Sequence, residues 1–175
     1  MQLRFEDALA VIAHVAYSHR LPSERIALVR AHGRVLAQDV VATLPLPPFD
    51  NSAMDGIAYR HADLASAQST GLRLVGEQFA GVRQDLVVGP GECVRITTGA
   101  PLPSGADTIA IREALRMDGE LVVIEGASAR GAHVRYAGED VRVGDVVLRM
   151  GDALTPSRVA LAAALGRAQV EVAQR

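Results

Sequence analysis

Apolar side chains recur at Phe5, Leu9, Ile12 and Ala16, at intervals of four, three and four. That period puts them on one face of a helix over roughly residues 4 to 18 and predicts an amphipathic element that either covers a core or forms a dimer contact. Alternation at Ile26 and Leu28 predicts a short strand, and the run Val35 to Val41 a second, with Gly33 breaking the stretch between them. From Pro45 the texture changes. Pro45, Pro47 and Pro48 prevent regular structure before the polar run Phe49-Asp50-Asn51-Ser52, which marks a domain crossing. Beyond it, short apolar runs separated by glycine (Leu72 to Val75, Asp85 to Val88, Glu92 to Ile96, Thr108 to Ile111, Leu121 to Ile124) predict a small all-β unit, barrel or sandwich. A last helix is announced by Thr155 as N-cap, Pro156 at the first helical position and Gly166 at the C-terminal cap. Its apolar run Val159 to Leu165 predicts burial nearly all round, and Ala168 to Val172 reads as a closing strand.

Helices at both ends with strands between predict an α+β fold. A discontinuous helical α/β domain is built from residues 1–49 and 141–175, and a small all-β, barrel-like domain, residues 50–140, is inserted into it. Composition narrows the partners. With 49% apolar and 22% charged residues and a formal net charge of -2, the chain has neither the character of a disordered segment nor a surface for polyanions. Aromatic residues are 3% and Trp is absent, so the stacking platforms of single-stranded nucleic-acid binders are missing and nucleic acid is excluded as an expected partner. The core must be Ala, Val and Leu. The one cysteine, Cys93, lies in the run Cys93-Val94-Arg95-Ile96 and reads as a buried strand residue, not a reactive thiol. Arg4, Glu6, Asp7 and two histidines within the first twenty residues interrupt any signal-peptide core, and no stretch has the length of a membrane span, so a cytoplasmic location and no membrane partner are expected. The histidines, at 14, 19, 32, 61 and 133, lack zinc-site spacing and read as surface residues.

Two loops concentrate turn formers and polar side chains. In Pro47-Pro48-Phe49-Asp50-Asn51-Ser52-Ala53-Met54-Asp55-Gly56, Asp50 and Asp55 are able to accept hydrogen bonds or hold a hard cation, while Asn51 and Ser52 offer donors; an Asx-turn or helix cap by Asp50 or Ser52 is the structural alternative. In Arg95-Ile96-Thr97-Thr98-Gly99-Ala100-Pro101-Leu102-Pro103-Ser104-Gly105-Ala106-Asp107, backbone amides around Gly99 and Gly105, with the threonine hydroxyls, are arranged to cradle an oxyanion or else simply form a tight strand connection. The Gly-Lys-Ser/Thr ending of a phosphate-binding P-loop is absent. A third candidate, Arg135-Tyr136-Ala137-Gly138-Glu139-Asp140, pairs two acids that act near a cation or cap a turn.

At these loops the chain resembles the MoeA and gephyrin E-domain family of molybdopterin molybdenumtransferases. Leu46 to Gly56 resembles the family's most characteristic segment, Arg95 to Asp107 its second and Val134 to Val141 its third, while Ala31 to Ala37 and Leu154 to Gly166 also fit, so the likeness spans essentially the whole chain. The resemblance implies insertion of molybdenum from molybdate into the dithiolene of adenylylated molybdopterin, with Mg²⁺ as cofactor and AMP released. It implies Asp55 and Thr98 as catalytic residues, Thr97, Gly99, Ser52 and Asp140 as residues that bind the cofactor or substrate, and Asp55 with Asp140 as metal ligands. Asp50, Asn51, Ser52 and Glu113 match family positions and are read as loop structure before chemistry. Ile57 stands where the family often has an aromatic residue and His133 where it usually has Asn. The family continues past a position like Val172 into a pterin-binding domain, which this chain would have to meet in cis or in trans, and it forms homodimers. The chain is therefore expected to supply one wall of a transferase site and to show negligible turnover by itself, since preorganised binding needs both walls. A non-catalytic scaffolding module with the same fold, or a small oxyanion-binding protein built on the Thr97-Thr98-Gly99 loop, are the competing readings.

Overall fold

The computed structural model describes residues 4–18, 21–82, 84–126 and 128–174; His19 lies outside them. In chain order the elements are α1 (Phe5–Ser18), β1 (Ser23–Ala27), β2 (Val40–Val41), β3 (Asn51–Ser52), β4 (Gly56–Tyr59), α2 (Leu64–Ser69), β5 (Leu72–Gln78), β6 (Glu92–Ile96), β7 (Thr108–Ile111), β8 (Leu115–Asp118), β9 (Leu121–Ile124), β10 (Val134–Arg135), β11 (Val146–Leu148), α3 (Pro156–Ala164) and β12 (Gln169–Ala173). The fold is α+β and mostly sheet. Among the described residues no helix is long and apolar enough to cross a membrane. Contacts divide the chain into two compact units, residues 1–44 with 143–175, and residues 45–142.

In the first unit β1 and β12 pair antiparallel, Ser23 opposite Ala173 and Ala27 opposite Gln169, and β2 pairs with β11. The core is aliphatic: Leu28, Leu36, Val40, Leu148, Leu154, Leu165, Val170 and Val172 are all buried. Two expectations need correction. The strand expected from Val35 to Val41 shrinks to β2, because Val35 and Leu36 make only isolated bridges, to Ala153 and Val172, and the Asp39 carboxylate turns away to accept from the Met150 amide at 2.7 Å. Burial nearly all round α3 is also not found. Ala162 alone is buried within it, and Ala160, Ala163 and Ala164 are exposed, since a methyl group offers little apolar area to draw a helix face inward. Its ends follow the expected chemistry: Thr155 Oγ1 accepts from the Arg158 amide, Pro156 occupies the first position, and Gly166 takes φ 74° just beyond the C-cap. α1 buries no residue, and Phe5, Leu9 and Ile12 are exposed.

The second unit is built on a six-stranded sheet in the order β7-β4-β6-β5-β9-β8, antiparallel throughout except for β5 beside β6. The unit expected to be all-β and barrel-like also holds a helix, α2, between β4 and β5, and β7 and β8 stand at open edges of its sheet. α2 contributes Ala67, with Leu64, to a cluster of Ile57, Tyr59, Leu72, Cys93, Ala110, Val122 and Ile124, while Ala58, Ile96, Ala100, Ile109 and Val134 form a second cluster. The alternation of Ile57 and Ala58 between the two clusters is the pleat at work. Residues 92–96, 108–111 and 121–124 are strands as the apolar runs predict, whereas Asp85 to Val88 is a loop touching Ser104 by one bridge at Val87. Cys93 is buried on β6, where burial, then the Glu92 charge, pushes its thiol up to about 12; it is a packing residue with no thiolate at neutral pH. His14, His32 and His133 are exposed as expected, but His61 is half-buried, one ring nitrogen 2.8 Å from the Ser128 carbonyl oxygen.

All four residues of β4 are buried between β6 and β7, and Gly56 opens the strand because nothing larger fits: an added Cβ would lie 1.9 Å from the Ala110 carbonyl oxygen. Gly56→Ala is therefore expected to lower unfolding free energy by about 1–3 kcal/mol, in the range of core overpacking. Urea denaturation followed by circular dichroism checks this; an unchanged midpoint would contradict the strand's central position.

Candidate functional site

The candidate site grows out of two loops clamped together by backbone. The first, residues 45–55, is anchored at its start where the Leu46 amide donates to Val141 and the Leu46 carbonyl accepts from Asp140 and Val141, and where the Gly138 amide donates to Pro47. Asp50 and Asn51 hold the loop's shape: Asp50 Oδ1 accepts from the Ala137 amide at 2.8 Å, and Asn51 Nδ2 donates to the Phe49 carbonyl. Ser52 is 1% exposed, its hydroxyl engaged with the Met54 backbone, so it is a structural residue. Its own backbone receives the second loop, the Ser52 amide donating to Ala100 and the Gly99 amide to Ser52 at 2.8 Å.

This clamp brings Asp55 against Thr98. Asp55 Oδ1 accepts from the Thr98 amide at 2.7 Å and from the Thr98 hydroxyl at 2.8 Å. Both residues are exposed. The Thr98 amide first, the Thr98 hydroxyl next, and the more distant Arg112 and Arg95 hold the Asp55 carboxyl below its ordinary value of 3.8, so it is ionised at neutral pH. Asp55 Oδ2 makes no hydrogen bond or ion pair among the described residues and faces solvent chemistry unencumbered. Next to it lies a cavity of about 470 Å³ lined by Asp55, Ile57, Leu74, Arg95, Thr97 and Arg112 among others.

The remaining expected residues fall differently. Thr97 lines the cavity, yet its hydroxyl already accepts from the Ala80 amide. The oxyanion cradle expected from amides around Gly99 is not formed there, because the amides of Thr97, Thr98, Gly99 and Ala100 donate inward to Gln78, Asp55, Ser52 and Thr97 respectively. Gly99 itself is needed for its φ of 79°. Asp140 belongs to the third loop, where Arg135 donates to its Oδ2 at 2.7 Å and to Glu139 at 2.5 Å. No hydrogen bond or ion pair joins Asp140 to Asp55 or Thr98, and among the described residues no group of three or more His, Cys, Asp and Glu is placed to hold a metal ion. A Mg²⁺ ion, which keeps several waters and is usually held by one or two carboxylates with substrate phosphates, fits the free Oδ2 of Asp55 on that chemistry, with the ligand completing the shell. Arg95 and Arg112 carry no distinct sequence signal: Arg95 is one residue of the run Arg95 to Asp107, and Arg112 reaches the same cavity only through the fold.

A family model described as the MoeA N-terminal region, domains I and II, matches residues 3–166. A molybdopterin molybdenumtransferase 2 of Mycobacterium tuberculosis is 44% identical over 153 residues, covering 86% of this chain and 38% of that relative. The molybdopterin molybdenumtransferase of Synechococcus elongatus is 35% identical over 176 residues, covering 98% of this chain and 44% of the relative. A crystal structure of a molybdopterin biosynthesis moeA protein from Pyrococcus horikosii superposes with a TM-score of 0.83 at 28% identity, covering 95% of this chain and 44% of that one. The chain thus spans about two fifths of the length of these relatives.

Because the folded carboxyl of Asp55 is depressed, its contribution to stability is present above 3.8 and is lost as pH falls through the folded value. Asp55→Asn removes this titration. The stability gap between the parent chain and the variant is expected to be level above about pH 5 and to close on acidification. Thermal unfolding across pH 2 to 7 checks this; a gap that stays constant or widens in acid would contradict an ionised, hydrogen-bonded Asp55.

Proposed function

The chain belongs to the MoeA N-terminal family, and from that premise we propose that it supplies one wall of a molybdopterin molybdenumtransferase site, at which molybdate is inserted into adenylylated molybdopterin. The observation that carries the reading is the exposed, ionised Asp55 locked onto Thr98 at the lip of a cavity. In this reading Asp55 is the principal charged group. Its Oδ2 would hold a Mg²⁺ ion, which when bound supplies charge neutralisation beside substrate phosphates. Thr98 keeps the carboxylate ionised and aimed, and its hydroxyl oxygen retains lone pairs for a second contact. Ser52, Thr97 and Gly99 act by fixing the loop that presents Thr98. Asp140, paired with Arg135, is a further acidic member of the cleft whose charge is already half answered. The opposite wall is assigned to the length that the relatives possess beyond the matched region, a pterin-binding domain met in cis or in trans. Homodimerisation through the unit holding α1 and α3 fits the exposed Phe5, Leu9 and Ile12, and a cytoplasmic location fits the use of a soluble small-molecule substrate.

The experiment is a chimera in which this chain replaces the matching N-terminal part of a relative, supplied with adenylylated molybdopterin, Mg²⁺ and molybdate while AMP release is followed. The chimera is expected to turn over, the 175-residue chain alone is expected not to, and Asp55→Asn in the chimera is expected to reduce turnover roughly 10²–10³-fold, as for loss of one preorganised electrostatic group. Efficient turnover by the chain alone, or by the Asn variant, would refute the reading.

A further inference from the structure

Gln78 ends β5, where it pairs in parallel with Ile96, the last residue of β6. Its side chain is 1% exposed, and a carboxamide taken out of water at that depth is costly unless it finds partners. It finds three. Nε2 donates to the carbonyls of Phe79, at 3.1 Å, and Val82, and Oε1 accepts from the Gln84 amide at 3.1 Å. Phe79 to Val82 are thereby wound into a turn around one side chain, with Gln84 closing it. Apolar packing does not hold that turn, since Phe79, Ala80, Val82 and Gln84 are all exposed, Val82 by 61%. A polar group inside with apolar groups outside inverts the usual arrangement, so the hydrogen bonds of Gln78 give the turn its shape.

The turn bears on the second loop of the candidate site through Thr97. The Thr97 amide donates to the Gln78 carbonyl at 3.2 Å, and the Ala80 amide donates to Thr97 Oγ1, also at 3.2 Å. Thr97 is thus held at its backbone and at its hydroxyl, and the next residue, Thr98, donates from amide and hydroxyl to Asp55. Asn51 and Ser52 are buried polar residues that shape the first loop from within; Gln78 stands in the same relation to the second. We propose that Gln78 is a positioning residue of the transferase site: its carboxamide shapes the Phe79–Val82 turn so that the Ala80 amide fixes Thr97, and Thr97 sets Thr98 against Asp55. Gln78 does not line the cavity beside Asp55, so it acts through Thr97 and not on a ligand. The chain of contacts stands on the hydrogen bonds alone; its part in turnover rests on the transferase reading.

Two substitutions test this. Gln78→Met keeps the length of the side chain and removes every hydrogen bond of the carboxamide, and Thr97→Val keeps the side chain's shape and removes the acceptor for Ala80. In the 175-residue chain at neutral pH, amide hydrogen exchange read by NMR is expected to show Thr98 about tenfold less protected in either variant, the size of one lost hydrogen bond. Ala58 and Val94, paired and buried in β4 and β6, are expected to keep their protection. In the chimera with a relative, each variant is expected to lower kcat about 10- to 100-fold with KM unchanged, and the double variant to lose little more than either single one, because both cut the same path. Should Gln78→Met fail to fold, Gln84→Pro, at an exposed position whose amide donates to Oε1, carries the same expectations. Unchanged protection of Thr98 in the folded variants, or losses in kcat that simply add, would overturn the proposal. Full turnover by the Gln78→Met chimera would sink this inference alone; loss of Thr98 protection beside a parent chimera that does not turn over would sink the transferase reading alone.

Discussion

The second unit turns on one carboxylate. Asp55 sits one residue before β4, whose first residue, Gly56, pairs with Ile96, the last of β6; Thr98 follows two residues later. The two loops therefore leave adjacent strands at the same end of the sheet, and the bonds from Thr98 to Asp55 close the gap between them. The backbone clamp of Ser52 on Gly99 and Ala100 holds the same junction from the other side. A glycine at 56 is the steric condition for all of it, because β4 must pass within contact of the Ala110 carbonyl for Asp55 to arrive where it does.

Charge is distributed around that junction unevenly. In the third loop Arg135 answers both Glu139 and Asp140, and Glu139 is held below its ordinary value by Arg135 and the Tyr136 amide. Such an exposed ion-pair network contributes little to stability. The Arg112 guanidinium and the outer oxygen of Asp55 are different: among the described residues each is a charged group without a hydrogen-bond or ion-pair partner at the edge of a cavity with an apolar floor. A cation for one and an anion for the other is the chemistry such an edge can accept.

Much of this was readable from residue order. Thr155, Pro156 and Gly166 delimit α3 because capping and fixed φ act locally, and the runs 92–96, 108–111 and 121–124 are strands because apolar runs of that length must be buried on a sheet. β4 has no local signature, because Gly56-Ile57-Ala58-Tyr59 is too short and too mixed to show a period, although neighbours on both sides bury it completely. The open, mixed sheet was equally hidden, since the parallel pairing of β5 with β6 is a tertiary choice with no local code. In the site, Asp55 and Thr98 were legible as chemistry-bearing types in turn-rich loops, and their family likeness reinforced them. That the Gly99 loop would turn its amides inward, and that Arg112 would share the cavity, depends on pairing across more than forty residues of chain and no single segment discloses it.

The contact on which the junction most depends is the Thr98 amide donating to an ionised Asp55. An acid titration of the ¹⁵N-labelled chain by two-dimensional NMR measures it: the Thr98 amide proton should resonate well downfield at neutral pH and move upfield with a midpoint below the ordinary carboxylate value of 3.8. A Thr98 amide that does not titrate, or that follows a carboxyl with a midpoint at or above 3.8, would contradict it.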